Sequence, residues 1–304
     1  MGVTIDIHAD DFGESVHASQ DILECLKDGK LNSISVLANM SCFEECVQLY
    51  RREQDAFAWQ PEISVHVNLM EGSCLADPKE LPDLVDEKGH FKISWEKLFF
   101  ASYLPSRKRF KAQLKREIEL QIKAVAEAFP EMRMQELRID SHQHTHMIPV
   151  VAEALFEVLD EQGWKAAYIR DAKEPFFVFL KKISLYKTYR PVNFVKNILL
   201  NYCSVLLQKR FRNAGMKPMY LWGLIMSGHM DEERIVKLLP AMEKKAAHAG
   251  RTLEILFHPG QVLKEEISDE FSQEDAIAFH ISSDRGVEKQ AVYALDLAQK
   301  ARKQ

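Results

Sequence analysis

No two of the five cysteines are spaced as a CxxC pair, and their odd number argues against a disulfide framework. Cys25, Cys42, Cys46, Cys74 and Cys203 therefore read as thiols, with Cys42 and Cys46 spaced to neighbour each other on a helix. No stretch approaches the roughly 18 uncharged apolar residues that a membrane span needs. The opening Met1-Gly2-Val3-Thr4-Ile5-Asp6 lacks the basic start and apolar run of a secretory signal. A cytoplasmic location is expected. Positive charge is also in short supply: the net charge is −5, which argues against general nucleic-acid binding. GxSxG, HExxH, Walker A and Rossmann glycine patterns are all missing. Any chemistry must come from residues that the fold brings together.

What is present suits an enzyme-sized globular protein. The 304 residues are 46% hydrophobic and 28% charged, ample for one large α/β barrel or two ordinary domains. Strand and helix signals alternate. Strands are expected at 3–7, 33–38, 63–67, 137–139, 166–169, 221–226 and 253–257. Helices are expected at about 14–28, 43–52, 107–129, 150–159, 232–248 and 286–303, with an irregular Gly-, Pro- and Asp-rich stretch before residue 94. Gly29 is placed as a helix stop, and Leu114, Ile118, Ile122 and Val125 share one helical stripe. About seven strands interleaved with helices predict a mostly parallel sheet, open or closed into a barrel.

The densest chemical signal is Asp140-Ser141-His142-Gln143-His144-Thr145-His146. Leu137 and Ile139 lead into it and Pro149 closes it, so it is expected at a strand end. There Asp140, His142, His144 and His146 would project to one side. Imidazole and carboxylate are the usual ligands of divalent metals. A polar surface strand is the plain alternative. Three further clusters end strands: Asp10-Asp11 the first, His66 the third and His258-Pro259-Gly260 the last. Singly, each has a bland reading: a helix-capping turn, a core histidine and a Pro-Gly turn. Parallel α/β proteins build sites at the carboxyl ends of their strands, so four clusters at four such ends form one constellation. His17, His90, His229, His248 and His280 have no companion motif and read as surface or local structural residues.

One Asp and two His suffice for a catalytic divalent metal that keeps positions open for water and substrate. An adjacent Asp is placed to act as base, and a distant His to protonate a leaving amine or stabilise a tetrahedral intermediate. Those parts fit amide or ester hydrolysis.

Ala9-Asp10-Asp11-Phe12-Gly13, His66-Val67-Asn68-Leu69 with Glu71-Gly72, the run from Asp140 to Pro149, and Phe257-His258-Pro259-Gly260 resemble the YdjC-like carbohydrate deacetylases. That family includes chitooligosaccharide deacetylases and a hopanoid-biosynthesis-associated branch, and the resemblance runs from the first strand to the last. It implies a single-domain, irregular TIM-like β/α barrel over residues 1–304 and removal of acetyl groups from N-acetylated sugars. It further implies Mg2+ or another divalent ion, Zn2+ included, held by Asp11, His66 and His142, with Asp10 as base and His258 as acid. Asn68, His144 and His146 then become candidates to face substrate or support the ligands. The alternatives are another metal-dependent hydrolase on the same barrel, such as a phosphoesterase, and a non-catalytic sugar-binding regulator. The intact set of five residues opposes the regulator. A homodimer is the default expectation.

Residues 173–220 depart from the shorter members of that family. This insertion carries ten Lys or Arg against one acidic residue, leaving −14 on the rest of the chain, and includes the apolar run Pro175-Phe176-Phe177-Val178-Phe179-Leu180. It reads as a helical flap on the barrel, or as a basic, apolar lid for an anionic or lipid-linked sugar or an anionic membrane surface.

Overall fold

Alternating hydrophobicity sets the architecture. In the strand Ile5-Asp6-Ile7-His8-Ala9-Asp10, every second side chain is apolar, so one face is oily and the other charged. The same alternation recurs in Ser33-Ile34-Ser35-Val36, Ile63-Ser64-Val65-His66-Val67 and Leu137-Arg138-Ile139-Asp140. A computed structural model describes residues 3–179, Leu185 and 191–294. It places these segments in one parallel sheet whose oily side is covered by helices. Lys181, Lys182 and Lys187 of the basic insertion lie outside the described residues.

The strands are β1 (Ile5–Phe12), β2 (Ser33–Val36), β3 (Glu62–Val67), β4 (Leu137–Ser141), β5 (Ala166–Ile169), β6 (Met219–Trp222) and β7 (Thr252–Phe257). The helices are α1 (Val16–Lys27), α2 (Phe43–Glu53), α3 (Trp95–Ala101), α4 (Arg107–Ala128) and α5 (Pro149–Gln162). After them come α6 (Phe176–Phe179), α7 (Pro191–Asn213), α8 (Glu232–Ala249), α9 (Glu274–His280) and α10 (Asp284–Ala294). All six strand pairings are parallel, in the order β5-β4-β3-β2-β1-β7-β6. Among the described residues no ladder joins β5 to β6, so the seven-stranded barrel stays open at that seam.

Side-chain contacts show how far the sheet curls. Arg138 of β4 reaches Asp6 of β1 at 2.9 Å, and the Tyr168 hydroxyl of β5 meets Glu254 of β7. Residues three and five strands apart therefore meet across the concave side. That side carries Asp6, His8, Asp10, Ser33, Ser35, His66, Asp140, Arg170 and Glu254, a polar and largely buried lumen. The convex side carries Ile7, Ala9, Ile34, Val36, Val65 and Ile139, all at most 2% exposed. Leu114, Ile118, Ile122 and Val125 of α4 are fully buried as the helical stripe predicts, each contributing about 1.5–3 kcal/mol.

Two strands depart most from expectation. β1 runs on to Phe12, so Asp10 and Asp11 end the strand rather than follow it. β6 stops at Trp222, because the Glu174 carboxylate accepts the N–H groups of Gly223, Leu224 and Ile225 at 2.9, 3.2 and 2.9 Å and turns the chain away. α10 is described from Asp284 to Ala294, and the expected continuation to 303 lies outside the described residues.

Candidate functional site

The carboxyl ends of β1, β3 and β4 supply the central group. Between Ala9 and Phe12 the β1–β2 register slips, and Asp11 takes φ +71°, a left-handed conformation that Asp tolerates better than most residues. The slip breaks strand alternation, so two consecutive carboxylates are both used at the rim. Asp11 Oδ1 lies 3.0 Å from His142 Nδ1 and 3.4 Å from His66 Nε2. Donors about 2.1 Å from a shared ion sit roughly 3.0–3.5 Å apart at octahedral or tetrahedral angles. Both of these pairs thus have the spacing of a ligand set, the three donor atoms lie within 4.8 Å of one another, and all three residues are buried. The residues present fit a divalent cation.

Each donor is held from behind. His66 Nδ1 bonds Asp140 Oδ1 at 2.6 Å, the carboxylate–histidine arrangement that fixes a ring for coordination through Nε2. Asp140 also accepts from the Ser35 hydroxyl at 2.5 Å. Asp11 Oδ2 accepts from Arg285 at 2.9 Å, and His142 Nε2 lies 3.3 Å from Glu71. Burial alone would raise the Asp11 carboxyl, but His142 and Arg285 outweigh it and hold it well below the usual range. Burial likewise opposes charge on His142, and Asp11 with Glu71 reverses the effect and raises its pKa well above the ordinary value.

Asp10 lies beside this group in a different setting. The Arg170 guanidinium grips both of its oxygens, at 2.9 and 2.8 Å, and His8 Nε2 stands 3.3 Å away. Burial pushes the Asp10 carboxyl up, yet Arg170, His66 and His8 together hold it well below the ordinary carboxylate value. His258 follows Phe257, which pairs with Ala9 in the β1–β7 register, so it occupies the same rim. Glu288 accepts the His258 backbone N–H at 2.6 Å and lies 3.3 Å from its Nδ1, setting the ring's orientation.

The histidine run itself is not an extended segment. β4 ends at Ser141, and residues 142–147 form a 3-10 turn with Gln143 and His144 at φ +53° and +57°. His142, His144 and His146 therefore point in different directions, correcting the expectation of one shared face. The turn has a clear cause: the Ser141 hydroxyl accepts the His146 N–H at 2.8 Å and contacts the same residue's Nδ1 at 2.6 Å. With Nε2 2.8 Å from the Arg170 carbonyl, both ring nitrogens of His146 are engaged by protein. His144 Nδ1 is buried without a partner, and burial with nearby Arg170 drives its pKa well below normal. Asn68 faces its own loop: its Oδ1 accepts from the N–H groups of Met70 and Glu71 at 3.0 and 3.1 Å, presenting Glu71 to the site.

A second buried group adjoins the first and includes a histidine that sequence reasoning set aside. Glu14, Glu71, His142 and His280 converge, with His280 Nε2 2.9 Å from Glu71 and Nδ1 2.7 Å from Glu14. Arg285 enters the same cluster at 2.7 Å from His280 and 3.5 Å from Glu14. Burial works against charge on His280, and Glu14 and Glu71 override it and raise its pKa to about 9. Arg170, Glu288, His280 and Arg285 all escaped the sequence reading. Only Arg170 left a signal, as the polar partner of Tyr168 two residues earlier along an alternating strand.

The fold and donor set define a class: parallel α/β barrels whose strand ends gather carboxylates and imidazoles suited to a divalent cation. A family profile describing YdjC-like proteins matches residues 4–302, and the chain belongs to the YdjC-like family. A carbohydrate deacetylase of Danio rerio is 27% identical over 173 residues, covering 57% of this chain and 51% of that protein. Another, of Thermoanaerobacter pseudethanolicus, is 30% identical over 152 residues, covering 50% of this chain and 55% of its own. The chain spans about half the length of the curated relatives it matches. A crystal structure from Enterococcus faecalis V583, named a "putative cellobiose-phosphate cleavage protein", superposes with a TM-score of 0.63 at 17% identity. It covers 100% of this chain and 95% of that one, which shows a shared fold.

Proposed function

We propose that this protein is a metal-dependent hydrolase that removes the acetyl group from an N-acetylated carbohydrate. The observation that carries the reading is the convergence of Asp11, His66 and His142 beside an arginine-held Asp10 and a glutamate-held His258 on one rim. Asp11, His66 and His142 would hold the cation. A divalent ion there supplies Lewis acidity, polarising an amide carbonyl and acidifying water. Asp10, ionised at neutral pH, takes a proton from the attacking water. A carboxylate held so low is a weak base, so it depends on that acidification. His258, steadied by Glu288, delivers a proton to the departing amine nitrogen. His144, with its unpartnered Nδ1, is placed as a contact for substrate. Two imidazoles among three donors suit Zn2+ or a related ion on ligand chemistry, while the family resemblance implies Mg2+. All five cysteines are free, the state a reducing cytoplasm maintains.

The deciding experiment measures acetate release from N-acetylated mono-, oligo- and phosphorylated sugars, with and without chelator. The expected result is chelator-sensitive acetate release, restored by one divalent ion. A phosphoesterase is the second reading, favoured by the adjoining Glu14–Glu71–His142–His280 group as a place for a second ion. Arg285 already supplies positive charge there, which disfavours it. Phosphate release without acetate release, with two metal ions per chain by elemental analysis, would establish the phosphoesterase instead.

A further inference from the structure

Helix α7 of the basic insertion is built the wrong way round for a helix in water. Its buried side carries Asn193, Asn197 and Ser204 beside Leu200, Cys203, Leu207 and Phe211. Asn193 donates to the Ile225 carbonyl at 3.1 Å and Asn197 to the Glu174 carboxylate at 3.0 Å, so the polar residues are consumed inside. Its outer side carries Val192, Val195, Ile198, Tyr202, Val205 and Leu206, all between 46% and 63% exposed. The patch continues past α7. Tyr103, at the end of α3, interacts with Tyr202, bringing the exposed Phe100 and Leu104 alongside. Contiguous exposed apolar surface of this kind marks an interaction site.

We propose that the outer face of α7, with the tip of α3, docks on an anionic lipid bilayer. Charge selects this occupant. Within α7 stand Lys196, Lys209, Arg210 and Arg212 and no acidic residue, although the whole chain is at −5. An apolar face flanked by cations is the pattern of a helix lying in a membrane interface, where anionic headgroups meet the cations and the aliphatic side chains enter the acyl boundary. A second copy of this chain meeting the first through α7 would bring eight cations together with no acid on either helix. Among the described residues no helix is long and apolar enough to cross a membrane, so the proposal lays α7 on the bilayer surface. A cavity of about 610 Å³ shares Ile198 with the exposed face and is lined also by Phe177 of α6 and by Lys173, Lys244 and Lys245. Its apolar walls and lysines suit the chain and headgroup of an anionic lipid. The inference stands apart from the reaction proposed above.

The test is co-sedimentation of the full chain with vesicles of phosphatidylcholine alone or mixed with phosphatidylglycerol. Binding should be about tenfold or more stronger to the anionic vesicles and should weaken as salt rises. The triple variant Val195→Asp, Ile198→Asp, Val205→Asp changes only exposed positions, so it should keep the native thermal transition while losing vesicle binding by at least about tenfold. Wild-type protein that ignores both vesicles, or a triple variant that binds as the wild type does, overturns the proposal. A wild-type dimer in solution that the triple variant dissociates also overturns it, and gives the face to a second copy.

Discussion

Asp10 and Asp11 are chain neighbours whose carboxylates are held differently, and that difference separates their proposed roles. Asp11 Oδ1 lies between two imidazoles with Arg285 on the other oxygen, whereas the Arg170 guanidinium grips both oxygens of Asp10. Asp11→Asn should lose metal affinity first, read by equilibrium dialysis. Asp10→Asn should keep the metal and lose roughly a hundredfold or more in turnover, the scale of a missing base. Equal metal binding and equal activity loss in both variants would reject the division. His146 makes a different prediction, about stability. Burial, with Arg170 and His66 nearby, lowers its pKa to about 4, so the folded protein holds it neutral while an unfolded chain titrates near 6.5. A base depressed on folding contributes stability that is present above the unfolded pKa and lost as pH falls toward the folded one. The window is pH 6.5 to 4, and the loss is a few kcal/mol at most. His146→Gln should narrow the gap between melting temperatures at pH 7 and pH 4.5; an unchanged gap would remove His146 as a cause. The family motifs made Asp10, Asp11, His66, His142 and His258 legible from the sequence, and the structure gathers Asp11, His66 and His142 into one cluster. The residues behind them were not legible. Glu288 and Arg285 lie on a helix far along the chain, and only tertiary folding makes them neighbours of His258 and Asp11.

At the scale of elements, the histidine run shows how a periodic signal misleads. Residues at i, i+2 and i+4 share a face only while the strand lasts, and β4 ends one residue before His142. Ser141 then competes for the backbone, capping the His146 N–H and closing a turn in place of further ladder. Gln143 consequently sits at φ +53°. Gln143→Gly should leave the melting temperature unchanged or slightly higher, whereas the β-branched Gln143→Val should cost about 1–3 kcal/mol, because its Cβ substituents crowd the left-handed conformation. Equal stability of the two variants would show that the turn relaxes freely. The strands themselves were readable. Five of the seven expected strands lie within or within two residues of those observed, and the errors at β1 and β6 fall where a register slip and the Glu174 carboxylate override local propensity.

For the molecule as a whole, the polar lumen is what the sequence displayed most openly and what a strand-by-strand reading passes over. The polar positions of β1, β2, β3, β4, β5 and β7 alternate as regularly as the apolar ones, and they meet only because the sheet curls. Arg170 stands at the crossing. Fully buried, it pairs with Asp10 at 2.8 Å, Asp140 at 3.1 Å and Glu254 at 2.7 Å, joining β5 to β1, β4 and β7 across the open seam's side of the barrel. One cation thus offsets three buried carboxylates. Removing one member of a buried charge network commonly costs about 3–5 kcal/mol, because the remaining charges stay desolvated and unpaired. Arg170→Met preserves much of the side chain's volume while deleting the charge, so it should lower stability by that amount at neutral pH. Part of the loss should return on acidification, as Asp10, Asp140 and Glu254 become protonated and their repulsion fades. Arg170→Lys keeps the charge without the forked geometry and should fall between the two. Urea unfolding of the three proteins at pH 7 and pH 5 measures both effects. An Arg170→Met protein as stable as wild type at pH 7 would mean that the lumen admits enough water to solvate its carboxylates, and that curl is held by the apolar convex face alone.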